Sequence, residues 1–510
     1  MKTTAFLAAV LLATQLALAE DWTQWGRTPS RNMTSPETGI SADFSPGKYQ
    51  RGTDTIDPAT TRNVKWIVKL GSQSYGNPTV ANGRVYVGTN NEGNTDPRFT
   101  GKDFSILKCL DEKTGNTLWQ LTVPKLGSGK VGDWEYLGIC SSPAIEGDRV
   151  YLVTNRCETI CLDADGLADG NDGLTDEGQY MAGTDQPPLQ VQPTDADILW
   201  RYDMRTELGV FPHNITSSSP LIVGDRVFVS TSNGVDWSHT NIPNPKAPSL
   251  VGFNKLTGEL AGEEVSGISQ RILHGAWSSP AFGNSSKGDG VLIYGGPDGL
   301  LYGFDPNPRY DESEDLNVLN ELWRYDANPK HFRFKGSDES LPIKYARPEG
   351  PSEFIATPVV WNGRAYAATG QDPEHGEGIG NLVCLDIATG QKVWDFPEKI
   401  NRAISTCAIT DDGLLFVADF SGYIYCLDAN TGTLHWKHDS MSHIWGSPLV
   451  ADGKVYIGTE DGELLIFNAS KELQRIGEPI YFNDPIYSSP IAANGTLYVA
   501  TFTHLYAIKK

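Results

Sequence analysis

The chain has nine histidines, and most stand in short Gly- and Pro-punctuated segments beside carboxylates and indoles. His213, His274, Arg402, His443 and Trp445 lie just upstream of Ser-Pro-like dipeptides; Asp236, His239, Asp372, His375, Glu377, Asp419 and His504 lie between paired apolar runs. Such groups can act as acid–base residues, metal ligands or stacking surfaces. Two segments concentrate them. Asn233-Gly-Val-Asp236-Trp237-Ser-His239 continues into a Pro-stiffened excursion ending at Pro248, and Gly370-Gln-Asp372-Pro-Glu374-His375-Gly-Glu377 offers oxygen and nitrogen ligands at a spacing that matches no defined site. A third set, Asp163, Asp165, Asp169 and Asp172 among glycines, has the oxygen chemistry for calcium but departs from the EF-hand register. A solvated acidic loop is the equal alternative there.

The elements that must position these groups follow from an internal repeat. Asp111 to Trp119, Asp386 to Trp394 and Asp428 to Trp436 share the pattern Asp-x-x-Thr-Gly-x-x-x-Trp, each after an apolar run ending in Cys-Leu. Starts of Ser-Ser-Pro type recur at Asn77, Ser142, Ser219, Ser279, Thr357, Thr406, Ser447 and Ser489. The shortest steps are close to 40 residues, and each unit reads as four antiparallel strands, the signature of a β-propeller blade. The expected fold is all-β, an eight-bladed propeller over 63–510, preceded by an extended arm over 20–62 and carrying insertions near 163–198 and 324–355. The last unit ends after its third strand, so the orphan strand Val64 to Leu70 is expected to complete it, with Trp66 beside Leu505 to Ile508.

The repeats resemble the pyrroloquinoline quinone (PQQ) enzyme-type repeat of eight-bladed propellers, found in quinoprotein alcohol dehydrogenases and in the outer-membrane assembly factor BamB. The resemblance implies that Trp66, Trp119, Trp200, Trp323, Trp394 and Trp436 dock against the neighbouring blade. Blades 3 and 7 lack the aromatic, which predicts two weaker seams. It also implies, for a dehydrogenase, PQQ and calcium: Trp277 or Trp445 would stack on the quinone, Arg402 would meet its carboxylate, and Asp372 or Asp419 would be the base. The adjacent Cys-Cys pair of the alcohol dehydrogenases and a haem-binding Cys-x-x-Cys-His are absent.

Blade topology places blade-to-blade connections and second-to-third-strand loops on one face. His213, Asp236, His239, His274, Trp277, His375, Glu377, Arg402, His443 and Trp445 are therefore the candidate ligand-binding set around one mouth of the channel. Two functions remain: a propeller binding a small ligand or an envelope protein, or a PQQ-dependent oxidoreductase acting on alcohols or sugars. Fold alone does not choose between them.

Bulk properties narrow the partners. A net charge of −22 disfavours nucleic acid. Residues 1–19, with Lys2 ahead of an apolar run and an Ala17-Leu18-Ala19 end, read as a signal peptide cleaved before Glu20, so a periplasmic or extracellular, monomeric protein with no membrane span is expected. Cys109, Cys161, Cys384 and Cys426 share one repeat slot, which points to packing, while Cys140 and Cys157 are a candidate disulfide.

Overall fold

The computed structural model describes residues 20–510 apart from 337–339, 345, 348, 377 and 398. Residues 1–19, expected to be a signal peptide, and Glu377 lie outside the described residues. Eight four-stranded antiparallel sheets form a β-propeller. Blade 6 shows the plain unit: Ala408–Ile409 at the channel, then Leu414–Ala418, Tyr423–Asp428 and Leu434–Asp439 outward. The ring closes as expected, with Val64–Lys69 pairing antiparallel to His504–Ile508 and Trp66 opposite Ala507. Among the described residues no helix is long and apolar enough to cross a membrane.

The repeat motif is a device for joining blades. Its Asp folds an Asx turn, as Asp111 does by accepting from the Thr114 backbone N–H and hydroxyl at 2.8 and 2.7 Å. Its Trp indole donates to a carbonyl of the next blade: Trp66 to Glu112, Trp119 to Ala164, Trp200 to Lys255, Trp323 to Ile387, Trp394 to Ala429 and Trp436 to Ser470, all at 2.8–3.1 Å. The motif Gly lies under the indole of the preceding blade. A Cβ on Gly432, which has φ +70°, would stand 2.7 Å from the Trp394 ring. The Cys slot has an equally local reason: Cys109, Cys161, Cys384 and Cys426 pair across the sheet with Trp119, Trp200, Trp394 and Trp436, where a small residue leaves room for the indole.

The two seams without Trp are covered by other segments. At seam 3/4 a hairpin from blade 4, Arg309–Asp311 and Leu316–Leu319, adds two strands to blade 3, and Pro308 fills the space beside Gly262. At seam 7/8, Phe482 packs edge-on against Tyr506 and Phe44, and the Tyr456 hydroxyl donates to Ile40 O at 3.2 Å. Cys140 and Cys157 do not pair: their thiols face Leu137 O and Thr231 O respectively.

At the centre the residue two positions before each inner strand forms a belt that links one blade to the next. Backbone N–H groups donate to the following blade's side-chain oxygen at Asn77→Ser142, Ser142→Ser219, Ser219→Ser279, Thr357→Thr406, Thr406→Ser447, Ser447→Ser489 and Ser489→Asn77, at 2.5–3.2 Å. At the remaining step the Thr357 hydroxyl accepts from the Trp25 indole of the N-terminal arm at 3.0 Å.

That arm threads the channel. Three residues beyond the belt, the N–H groups of Val80, Ile145, Phe282, Val360, Ile409 and Val450 donate to Trp22 O, Thr23 O, Pro29 O, Ser30 O, Asn32 Oδ1 and Met33 O, all at 2.8–2.9 Å. Blade 8 accepts from Ser35 Oγ through Ala492 O at 2.9 Å, and blade 3 receives Arg31 on Ser219 O and Pro220 O at 3.0 Å. The exposed inner edge of every sheet is thereby met. Arg31 is fully buried; it also donates to Pro280 O and Trp25 O, and burial pushes its guanidinium down to about 9. Arg31→Ala strands these four carbonyls and is expected to cost at least ~3 kcal/mol of unfolding free energy, seen as a lower denaturant midpoint. A loss under ~1 kcal/mol would mean that the arm does not hold the ring.

Candidate functional site

With the arm as floor, the channel becomes a cup of about 520 Å³, inside the size range of small-molecule sites. Its wall consists of two stacked rings. The lower is the belt. The upper is the residue two positions earlier in each blade-to-blade connection: Tyr75, Cys140, Ser217, Trp277, Ile355, Ile404, Trp445 and Tyr487. Trp445 stacks on Tyr487 with centroids 4.4 Å apart at 11°, and Tyr75 meets both edge-on. Trp134 and Glu135, from the connection between blades 1 and 2, line the side where Cys140 and Ser217 are small. The acidic lining residues are Glu135, Asp372 and Glu374, and among the described lining residues none is Lys or Arg. Burial pushes the Asp372 carboxyl above its ordinary value.

Behind the Trp277 side of the cup, four of the predicted histidines converge. His213 and His274 rings lie 4.5 Å apart, His239 lies 5.0 and 4.8 Å from them, and His375 lies 4.5 Å from His274 and 5.4 Å from His239. Trp277 packs against His274 at 4.9 Å and donates its indole N–H to His213 O at 3.0 Å. The backbone locks the loops together: Gly234 bridges Gly275, and a Cβ on Gly234 would sit 2.4 Å from His213 Cβ and 2.7 Å from His274 O. Asn233 anchors the His239 loop by donating to Ser269 Oγ and Asn244 O at 3.0 Å. Burial drives His213 down to about 4 and His274 well below 6.5, which makes them neutral donors. Glu353, fully buried beside them, accepts from the Gly275 N–H at 3.3 Å, and burial holds its carboxyl well above 4.5.

The other predicted residues go elsewhere. His443 stacks on Phe420 at 4.5 Å near Trp445, and His504 packs against Tyr49. Asp236 is spent on its own turn, accepting from the Ser238 N–H at 3.0 Å and Asn241 Nδ2 at 3.1 Å. Arg402 is a buried strut whose guanidinium donates to Ser352 Oγ and to the carbonyls of His375, Gly376, Arg347 and Gly350. Asp419 is buried and accepts from the Tyr425 hydroxyl and the Tyr423 and Asn401 N–H groups. Asp163, Asp165 and Asp169 group together without Asp172, and Asp165 pairs with Arg84. Sequence reasoning missed Trp25, Trp134, Tyr75 and Tyr487. The last two were readable, since each stands two residues before a belt position.

The family can now be stated. Residues 98–271 and 378–474, over half of the chain, match the family model described as outer membrane protein assembly factor BamB. The chain belongs to this family. BamB of Moranella endobia is 20% identical over 409 residues, 78% of each chain. Other relatives match over short stretches. The dehydrogenase subunit of the quinone alcohol dehydrogenase of Gluconobacter oxydans is 29% identical over 127 residues, 21% of this chain and 16% of that protein. BamB of Shewanella oneidensis is 29% identical over 86 residues, 17% and 22% of the two chains. Among solved structures, BamB from Moraxella catarrhalis superposes with a TM-score of 0.53 over 88% of this chain and 97% of that one at 14% identity. A europium-containing methanol dehydrogenase gives 0.56 over 94% and 89%, also at 14%. Both likenesses are likenesses of fold.

The loop scaffold generates a pH prediction. Glu264 accepts from the Ser249 and Ser266 N–H groups at 2.9 and 2.8 Å, and Ser249 and Ser269 tie it to Asn233; burial raises its carboxyl from 4.5 to about 7. Below pH 4.5 both folded and unfolded states hold this proton. As pH rises from 4.5 through 7 the unfolded state releases it first, so up to ~3 kcal/mol of stability is lost over that window. Glu264→Gln is expected to flatten the stability–pH curve there relative to the parent, in denaturation melts at stepped pH. Parallel curves would contradict the assignment.

Proposed function

We propose that this protein is an exported ligand-binding propeller of the cell envelope, and that its ligand is a neutral or cationic ring-bearing small molecule, a sugar or amino sugar being the best chemical match. The observation that carries this reading is the composition of the cup. Indole and phenol faces suit the flat side of a ring, belt hydroxyls and carboxylates suit hydroxyl and amine donors, and none of the described lining residues is Lys or Arg. The same composition argues against PQQ. That cofactor carries three carboxylates, while Arg402 spends its donors on carbonyls and Glu135, Asp372 and Glu374 would repel it. Asn214, Asp372 and Glu374 supply oxygens suited to a hard cation, but the residues present do not fit the quinone.

Export is supported by the family and by the docking of Glu20. Its backbone nitrogen donates to Glu37 Oε1 at 2.7 Å, and Glu37 also accepts from Asn494 and Gly495 at 3.1 and 2.8 Å. Cleavage before Glu20 would turn that amide into an ammonium paired with a mostly buried carboxylate. The mature protein is expected to begin at Glu20 in terminal mass spectrometry; a start downstream of Glu37 would remove the arm and contradict the reading.

The ligand class is tested by calorimetry of the mature protein against neutral sugars, amino sugars and PQQ. Binding of a sugar or amino sugar is expected, with Trp445→Ala weakening it at least tenfold, about 1.4 kcal/mol. Tight PQQ binding, with the sugars inert, would overturn the proposal.

A further inference from the structure

We infer that His213, His239 and His274 form a binding site for one borderline first-row divalent cation of the zinc(II) type, with His375 as a fourth nitrogen donor within reach. The site lies behind Trp277, apart from the cup's sugar-binding chemistry, so this inference stands independently of the proposed ligand.

The geometry has three parts. One ring nitrogen from each of His213, His239 and His274 lies within 4.8 Å of the other two. A tetrahedral ion with bonds near 2.1 Å needs its donors about 3.4 Å apart, so the three nitrogens must draw together on the ion, and His239, on a half-buried loop, is the least constrained of them. The second part is orientation. His213 Nδ1 is held on Val235 O at 2.6 Å, which fixes the tautomer and leaves Nε2 as a lone-pair donor, the outer-shell arrangement of metal-bound histidine.

The third part is the unmet polar atoms. His274 is 1% exposed and His213 is 0% exposed. Both nitrogens of His274, Nε2 of His213 and Nε2 of His375 are buried without a hydrogen-bond partner in the protein. Buried polar atoms are nearly always satisfied, and four such nitrogens in one cluster of imidazoles point to a shared partner. A single cation would satisfy several of them at once.

The donor set also selects the class of ion. Neutral imidazoles suit zinc, copper, nickel or cobalt, whereas calcium and magnesium take oxygen ligands. The nearby Glu353, with Oε1 also unpartnered, supplies a compensating charge once a cation is present.

The test uses the full mature protein, treated with chelator, dialysed and titrated calorimetrically with zinc(II), then with calcium(II). One equivalent of zinc is expected to bind with submicromolar affinity, and excess calcium is expected not to displace it. His239→Gln, on the half-buried loop, keeps the fold and is expected to weaken zinc binding at least tenfold, as is His274→Ala; circular dichroism checks both for folding. Cobalt(II) bound in place of zinc should show the visible absorption of a low-coordinate nitrogen site, altered in His375→Ala. Failure of zinc, copper(II) and nickel(II) to bind the parent would overturn the inference, as would unchanged affinity in the folded His239→Gln variant. Sugar binding with no metal binding would sink this site and leave the cup reading intact.

Discussion

Everything in this molecule depends on how eight twisted sheets are held at their narrow inner ends, where each presents an unpaired edge to a channel. The belt of N–H groups donating to the next blade's side-chain oxygens runs through seven steps, and the Trp25 indole occupies the Thr357 acceptor at the eighth. The arm then meets the inner strands themselves. Ring closure, edge protection and channel plugging are consequently one interaction. The arm is also what gives the cup a floor, so the same residues that stabilise the ring define the volume offered to a ligand.

Farther out, the repeat motif works as a radial clamp in which one blade's Trp covers the next blade's turn glycine and its own third strand keeps a small residue beneath the indole. Where the Trp is missing, other segments cover the seam, the hairpin from blade 4 and residues around Phe44. This clamp lies at the outer strands and leaves the inner mouth free to diverge. The divergence is uneven: Tyr75, Trp445 and Tyr487 cluster at blades 1, 7 and 8, and imidazoles gather behind Trp277 at blades 3 to 5.

Much of the fold was legible because periodicity reports which strand a residue belongs to and which face a loop opens on. That was enough for the blade count and the closure by Trp66, while the docking role of the six indoles came from the family resemblance. It was not enough for the site, because a face is not a position on it. His443 and His504 share the mouth with His274 yet lie at other blades, and the crossings of Pro212 with Asn233 and of Gly234 with Gly275 bring His213, His239 and His274 together. Arg402 resembled a ligand group because its partners are loop carbonyls, which leave no mark in sequence. The arm was read as extended, but its path across all eight blades depends on backbone groups that every residue carries. Tyr75 and Tyr487 are different: the fixed offset of two residues before each belt position would have found them.

Hydrogen–deuterium exchange of the intact protein, read by peptide fragments, tests most directly whether arm and ring form one unit. The Trp22 amide, which donates to Val80 O, and the amides of Val80, Val360 and Val450, which donate to arm carbonyls, are predicted to exchange with one common opening free energy. Fast exchange of the arm beside fully protected blades would contradict the account, because the ring would then hold together, and the channel would open, without it.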